Sequence, residues 1–367
     1  MATLAMGRPD ASAEAATVSE RNWRLAAIEM LSVRVIQGFI YWGGGSRRFI
    51  YDPSKLDPDA SSWMANKFQT AMPGALLGTD HVIAYMLQHF WLLYAGVILF
   101  SGAELIVGAA LMAGLLTRLA AVVSIGFSIV LMLMFGWQGG TCIDEWTMAA
   151  CNLAMGATIM LAGSNAYSLD NVLLKRNRGL ADRSWFRWLA GSLPLPPSDA
   201  AFRNLGFAVL AAVLAYDIGT YSYYRGSVVT AYHSGPVSPT QDHFTLSDGM
   251  VVPDGGVRFH IYLDGGSPTL PAHIMKAELI GTHGQLIESW NTDALTRLPP
   301  TSIRNDFGYN KFMAGPYGLV ATMGAEATVA LPPAAHVELP AGGATIRLID
   351  VNGRSFTTAL ATPGRAS

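Results

Sequence analysis

The most constraining feature of this chain is the stretch from Phe90 to Leu116, in which Glu104 is the only charged residue. A helix needs about 20 mostly apolar residues to cross the hydrocarbon core of a bilayer. A run of this length in a soluble domain would have to be buried on every side. Composition points the same way, because 51% of residues are apolar and only 14% are charged, against roughly 25% charged in soluble domains. The mean hydropathy is +0.31. These values argue against disorder, a fibrous repeat or a basic nucleic-acid-binding module. The net charge of −2, near balance, adds nothing about partners, and two cysteines are too few for a disulfide framework or a four-thiolate metal site.

The apolar excess is uneven. Eight of the nine Trp and twelve of the sixteen Met precede residue 225. Five segments there have roughly the length of a membrane span: Leu25 to Trp42, Phe90 to Leu116, Leu119 to Trp137, Asp144 to Ala162, and Phe202 to Tyr224. Residues before Leu25 lack the apolar core of a secretory signal, so the first span is expected to be an uncleaved anchor. Lys and Arg gather on one set of connections, among them Arg21, Arg24, Arg118, Lys175, Arg176, Arg183, Arg187 and Arg203. The alternate loops carry Arg47, Arg48, Lys55 and Lys67. This asymmetry predicts a cytoplasmic N-terminus, and an odd number of spans then exports everything after Tyr224.

Beyond Arg225 the period becomes two. Val257 to Leu263, His273 to Ile280, Gln285 to Trp290, Leu319 to Thr322 and Ala344 to Val351 read as strands, with an Asn352-Gly353 hairpin turn. The expected fold class is therefore an α-helical membrane bundle, a four-helix core plus a fifth transmembrane helix, followed by an all-β immunoglobulin-like sandwich. The expected divisions are a tail over 1–24, a four-helix membrane domain over 25–163, and a loop over 164–201 with an interfacial helix around Trp185 to Leu189. The fifth span over 202–224 and an exported sandwich over 225–367 follow.

Ionisable groups at membrane depth are expensive and point to function. Arg34 lies about 13 Å from the inner end of the first span and Glu104 about 18 Å from that of the second, at the usual helical rise. They are expected to meet, either as an ion pair that orients the bundle or as part of a quinone head-group pocket with Gln37 and Tyr41, which share a helix face with Arg34. His89 is the one histidine near the membrane and joins the quinone-binding candidates. Gly43-Gly-Gly-Ser-Arg-Arg48 reads either as an ordinary charged helix end or as an oxyanion site, in which forked guanidinium groups bind an anion; Arg304 and Lys311 are further cationic candidates. Cys142 and Cys151 are either packing residues or a thiol relay. The glycines at 96, 102, 108 and 114 are expected to serve close helix packing. No haem, flavin, iron–sulfur or metal motif is present, and no metal site is expected from residue spacing.

These residues resemble a family. Arg34 and Gly38, then Gly102-x-Glu104 with Gly108 and Gly114, then Thr117-Arg118-Leu-Ala120 are similar to the DoxX/DoxD membrane family. Leu298-Pro-Pro300, Ile303-x-Asn305, Lys311, Gly315-Pro-Tyr-Gly-Leu319, Met323-Gly-Ala325 and Leu331-Pro332 resemble DoxA. The resemblance implies a fused thiosulfate:quinone oxidoreductase in a bacterial inner membrane, oxidising two thiosulfates to tetrathionate at the periplasmic face. It implies an exchangeable quinone acceptor of the ubiquinone, menaquinone or caldariellaquinone type; a homo-oligomer is compatible with it. The catalytic candidates are Arg34, Glu104, Cys142 and Cys151, and the thiosulfate-binding candidates are Arg47, Arg48, Arg304 and Lys311. The alternatives are a non-catalytic subunit or anchor of a quinone-linked respiratory complex, and a sulfur-oxyanion transporter.

Overall fold

The computed structural model describes residues 11–139, 145–225, 237–252, 255–333 and 343–361. Its helices are α1 (Ala11–Ser46), α2 (Met64–Ala71), α3 (Thr79–Gln88), α4 (Phe90–Ala113), α5 (Thr117–Phe135), α6 (Glu145–Ala162), α7 (Leu169–Arg176), α8 (Ser184–Leu189), α9 (Asp199–Arg225) and α10 (Thr292–Thr296). Its strands are β1 (His243–Val251), β2 (Val257–Gly265), β3 (Ala272–Gly281), β4 (Leu286–Trp290), β5 (Ile303–Asn305), β6 (Phe312–Gly315), β7 (Gly318–Ala321), β8 (Glu326–Leu331), β9 (Ala344–Asp350) and β10 (Ser355–Leu360).

Two compact units emerge, the first from Met1–Pro53, Ile98–Val130 and Met148–Gly219, and the second from Ser54–Val97, Leu131–Thr147 and Thr220–Ser367. Four described stretches are long and apolar enough to cross a membrane: Thr17–Tyr51, Phe90–Ala113, Thr117–Gln138 and Asp199–Tyr224. The fourth expected span is helical as α6, but its 18 residues reach only about 27 Å at the helical rise. Glu145 and Asn152 interrupt its apolar run. Its buried face is made largely of small residues, Ala149, Ala150, Gly156 and Ala157, together with Leu153 and Ile159. It therefore packs closely where the other four offer broad apolar surfaces.

The core of the first unit is formed by Tyr41, Val107, Leu111, Ala120, Ala121, Phe127 and Ile159. The long connection before α9 is tied to the helices by two buried charges. Asp170 accepts from Leu116 N at 2.7 Å, Thr117 N at 3.1 Å, Thr117 Oγ1 at 2.9 Å and Gly191 N at 2.7 Å. It thereby satisfies the orphan amides where α5 begins, and its charge suits a helix N-terminus. Arg118 donates to the carbonyls of Met160 at 3.2 Å and Leu193 at 2.8 Å, and also to Ala190. The adjoining α8 buries Phe186 while Trp185 and Trp188 stay exposed, the amphipathic pattern of a helix that lies along a membrane surface.

In the second unit the described strands form two antiparallel sheets, ordered β1-β2-β8-β5 and β10-β9-β3-β7-β6, with β4 pairing β3. Phe259, Ile261 and Val329 from one sheet and Ile274, Ile346 and Leu348 from the other belong to a single buried core. This is a sandwich, with inward and outward residues alternating along β2, β8 and β9. Gly353, with φ +80°, supplies the left-handed turn residue that joins β9 to β10. The remaining part of this unit is helical. Sequence periodicity assigns no element to the connection between the first two spans, whereas the structure forms α2 and α3 there around Trp63, Met64, Ile83, Leu87 and Phe307.

Candidate functional site

The site in the helical unit is set by how α1 meets α4. A Cβ on Gly38 would stand 2.7 Å from Gly108 O, one on Gly45 would stand 2.6 Å from Leu105 N, and one on Gly108 would stand 2.2 Å from Trp42 N. The backbones touch along this seam, as small residues permit. The helices run antiparallel, so the seam fixes which residues are level. Glu104 lies opposite Gly44, whose missing side chain leaves its carboxylate Oε2 3.6 Å from the Cβ position. Arg48, in the five-residue π turn over Arg47–Tyr51, reaches back to pair with Glu104 and donates to Ser101 Oγ at 3.3 Å. Glu104 is buried and Arg48 is partly buried.

The expected pairing of Arg34 with Glu104 is thereby corrected. Helix α1 begins well before Leu25 and continues through the glycines to Ser46, so Arg34 lies level with the end of α4. Its Nη1 lies 2.4 Å from the Cβ position of Gly114, and its Nη2 donates to Tyr167 O at 2.7 Å. Its Nε and Nη1 have no hydrogen-bond partner among the described residues. The Gly43-Gly-Gly segment is helix rather than a flexible oxyanion loop; Gly44 and Gly45 make room for α4.

Gln37 and Tyr41 do share a buried face, as expected, but with partners that spacing did not reveal. Gln37 Nε2 donates to Asn152 O at 2.8 Å and Ser124 Oγ at 3.4 Å; Tyr41 Oη donates to Ser124 O at 3.0 Å and lies 2.9 Å from Ser128 Oγ. Gln37 Oε1 and Asn152 Oδ1 are buried acceptors without a partner among the described residues. The clue was available, since Asn152 is the one amide in the apolar run of α6. His89 belongs to the other unit, at the end of α3, with Nδ1 2.8 Å from Tyr85 O. Cys151 is an exposed free thiol on α6, and Cys142 lies outside the described residues.

The thiosulfate candidates are dispersed. Arg47 is exposed 3.6 Å from Asp52, and Arg48 is occupied by Glu104. Arg304 and Lys311 line different clefts of the second unit. The Lys311 cleft, about 630 Å³, is also lined by Trp63, Lys67, Gln138, Glu145 and Thr322. Lys67 Nζ lies 3.2 Å from Glu145 Oε1. Gln138 Nε2 and Trp63 Nε1 are buried N–H groups with no partner among the described residues. The cleft wall is fixed by Gln69 on α2, which accepts from Asn310 N at 2.8 Å and donates to Gly324 O at 2.8 Å. Asn310 Nδ2 returns bonds to Asn66 O at 3.0 Å and Thr70 Oγ1 at 2.9 Å. Two ammonium groups and two unsatisfied N–H donors suit a small oxyanion.

Residues 30–196 match the family model described as TQO small subunit DoxD, and residues 225–359 match the model described as TQO small subunit DoxA. The chain belongs to the fused DoxD–DoxA family. The DoxD part carries the Arg48–Glu104 pair and the Gln37–Asn152 cluster, and the DoxA part carries Lys311 and Arg304. Both families are named for subunits of thiosulfate:quinone oxidoreductase, which makes this a membrane protein of the oxidoreductase class. No solved structure matches the chain.

Proposed function

We propose that this single chain is a thiosulfate:quinone oxidoreductase of the bacterial inner membrane, with the sandwich periplasmic. Two thiosulfate dianions join through a new sulfur–sulfur bond to give tetrathionate, and the two electrons released, with two protons, reduce a quinone to its quinol. The single observation that carries this reading is the presence of both subunit families in one chain, in order and covering most of it.

The chemistry of the described residues supports it. Two dianions repel strongly unless cations screen them, and the cleft offers the Lys311 ammonium, with Lys67 paired to Glu145, beside N–H donors that have no partner among the described residues. A quinone head group needs donors and its quinol needs acceptors. Gln37 and Asn152 supply acceptors in the helical unit, where their buried oxygens, without a partner among the described residues, fit the hydroxyl groups of a quinol. The quinone, when bound, supplies the electron-accepting ring. Glu104 holds or passes protons beside it, and Arg48 keeps its charge compensated.

The test is thiosulfate-dependent reduction of a soluble quinone analogue by the purified chain. Turnover with thiosulfate alone is expected; activity only after a second protein is added would make the chain a subunit or anchor.

A further inference from the structure

On the outer face of the β1-β2-β8-β5 sheet, three side chains from distant parts of the sequence converge. One ligand atom each from His260, Asp306 and Glu326 lie within 4.8 Å of one another. We infer that these three residues form a binding site for a divalent transition metal of the zinc type, separate from the thiosulfate and quinone chemistry.

The scaffold argues for a built site. Residue His260 is on β2, which pairs with β8 so that His260 faces Thr328 and Tyr262 faces Glu326. Strand β5 pairs with the other side of β8, placing Asn305 opposite Ala327, and the next residue, Asp306, donates its N–H to Glu326 O at 3.0 Å. Two neighbouring strands and the residue just past a third thus hold the ligands by backbone bonds. The side chains of His260 and Asp306 remain 23% and 34% exposed, so a hydrated ion has access.

Geometry sets the class of ion. Points no more than 4.8 Å apart share a centre within about 2.8 Å of each, and Zn–N and Zn–O bonds are about 2.0–2.2 Å. A side-chain movement below about 1 Å closes the shell. One imidazole with two carboxylates is a nitrogen–oxygen donor set that suits zinc and its neighbours. Nε2 of His260 faces Asp306 Oδ2 at 2.9 Å, and its Nδ1 lies 3.5 Å from Ser247 Oγ. An outer partner of this kind sets which ring nitrogen is free to ligate. His260 and Asp306 also line an open cleft of about 540 Å³ with Arg258 and Arg304, which leaves a coordination position for water. Residue spacing gave no sign of the site because two ligands come from different strands and the third from the residue just past a third strand.

The test uses the full-length protein in detergent, stripped of metal with a chelator and titrated with Co(II) as a spectroscopic probe and with Zn(II). The expected result is one equivalent of Co(II) with ligand-field absorption, displaced by Zn(II). Asp306→Asn and Glu326→Gln, which conserve size, each weaken Zn(II) binding at least tenfold. In the unaltered protein, Zn(II) protects His260 from carbethoxylation, read by mass spectrometry, so the test does not depend on variants that fold. Absence of saturable binding, variants that bind as tightly as the parent, or His260 modified equally with and without Zn(II) would reduce the cluster to a metal-free hydrogen-bonded pair and overturn the inference.

Discussion

Arg48, two residues beyond the end of α1, closes an ion pair with the buried Glu104 in the middle of α4. The pair exists because Gly44 and Gly45 let the two backbones touch there. If Glu104 handles protons for quinone reduction, Glu104→Gln keeps the shape and lowers quinone-linked kcat by about 10² or more, with little change in the KM for thiosulfate. Steady-state kinetics with a soluble quinone check this. Arg48→Met instead strands a buried carboxylate and costs about 3–5 kcal/mol of stability, read as a lower melting temperature in detergent.

The glycine seam makes a contrasting pair of predictions. Gly45→Val forces a side chain into the backbone of α4 and destabilises by about 1–3 kcal/mol, as overpacking does. A Cβ on Gly102 meets nothing within 4 Å, so Gly102→Ala stabilises by about 0.5–1 kcal/mol through helix propensity. Thermal unfolding of the two variants side by side checks the register of α1 on α4.

In the Lys311 cleft, Lys311→Met and Gln138→Leu are expected to raise the KM for thiosulfate about tenfold, equivalent to about 1.4 kcal/mol of binding, while kcat changes little. Arg47→Ala, on an exposed residue beside Asp52, is expected to leave KM within about twofold, the small effect typical of an exposed ion pair. Initial rates across a thiosulfate series separate the two sites.

Glu278, buried on β3, is held below the usual carboxylate range by Lys276 and Arg347. Its charged form is favoured in the folded state, so its contribution is fully present above the unfolded pKa of about 4.3 and is lost as pH falls toward the depressed folded value. Glu278→Gln therefore lowers stability by about 2 kcal/mol near neutrality and by less below pH 4. Melting temperatures of parent and variant from neutral to acid pH check the convergence.

Much of this fold was legible because its signals are periodic. The long apolar runs of α4 and α5 announced membrane helices, and alternation announced β2, β3 and β9. β1 was missed because Ser247-Asp248-Gly249 interrupts the alternation, and Asp248 takes a positive φ of +49° at an irregularity in the ladder. The candidate site was legible only in its residue types. Gln37, Tyr41, Glu104 and Lys311 were selected as polar exceptions or exposed cations, but their partners depend on helix register, which glycine contacts fix and hydropathy does not record. Arg34 and Arg48 exchanged expected positions for that reason. Gln138, Lys67 and Asp170 became visible as site or scaffold residues only when distant segments were brought together.

The most direct measurement of the central claim is the product ratio formed by the purified chain from thiosulfate and a soluble quinone, with no other protein present. The account predicts one tetrathionate for each quinol. Quinol without tetrathionate, or no turnover until a second protein is supplied, would contradict it.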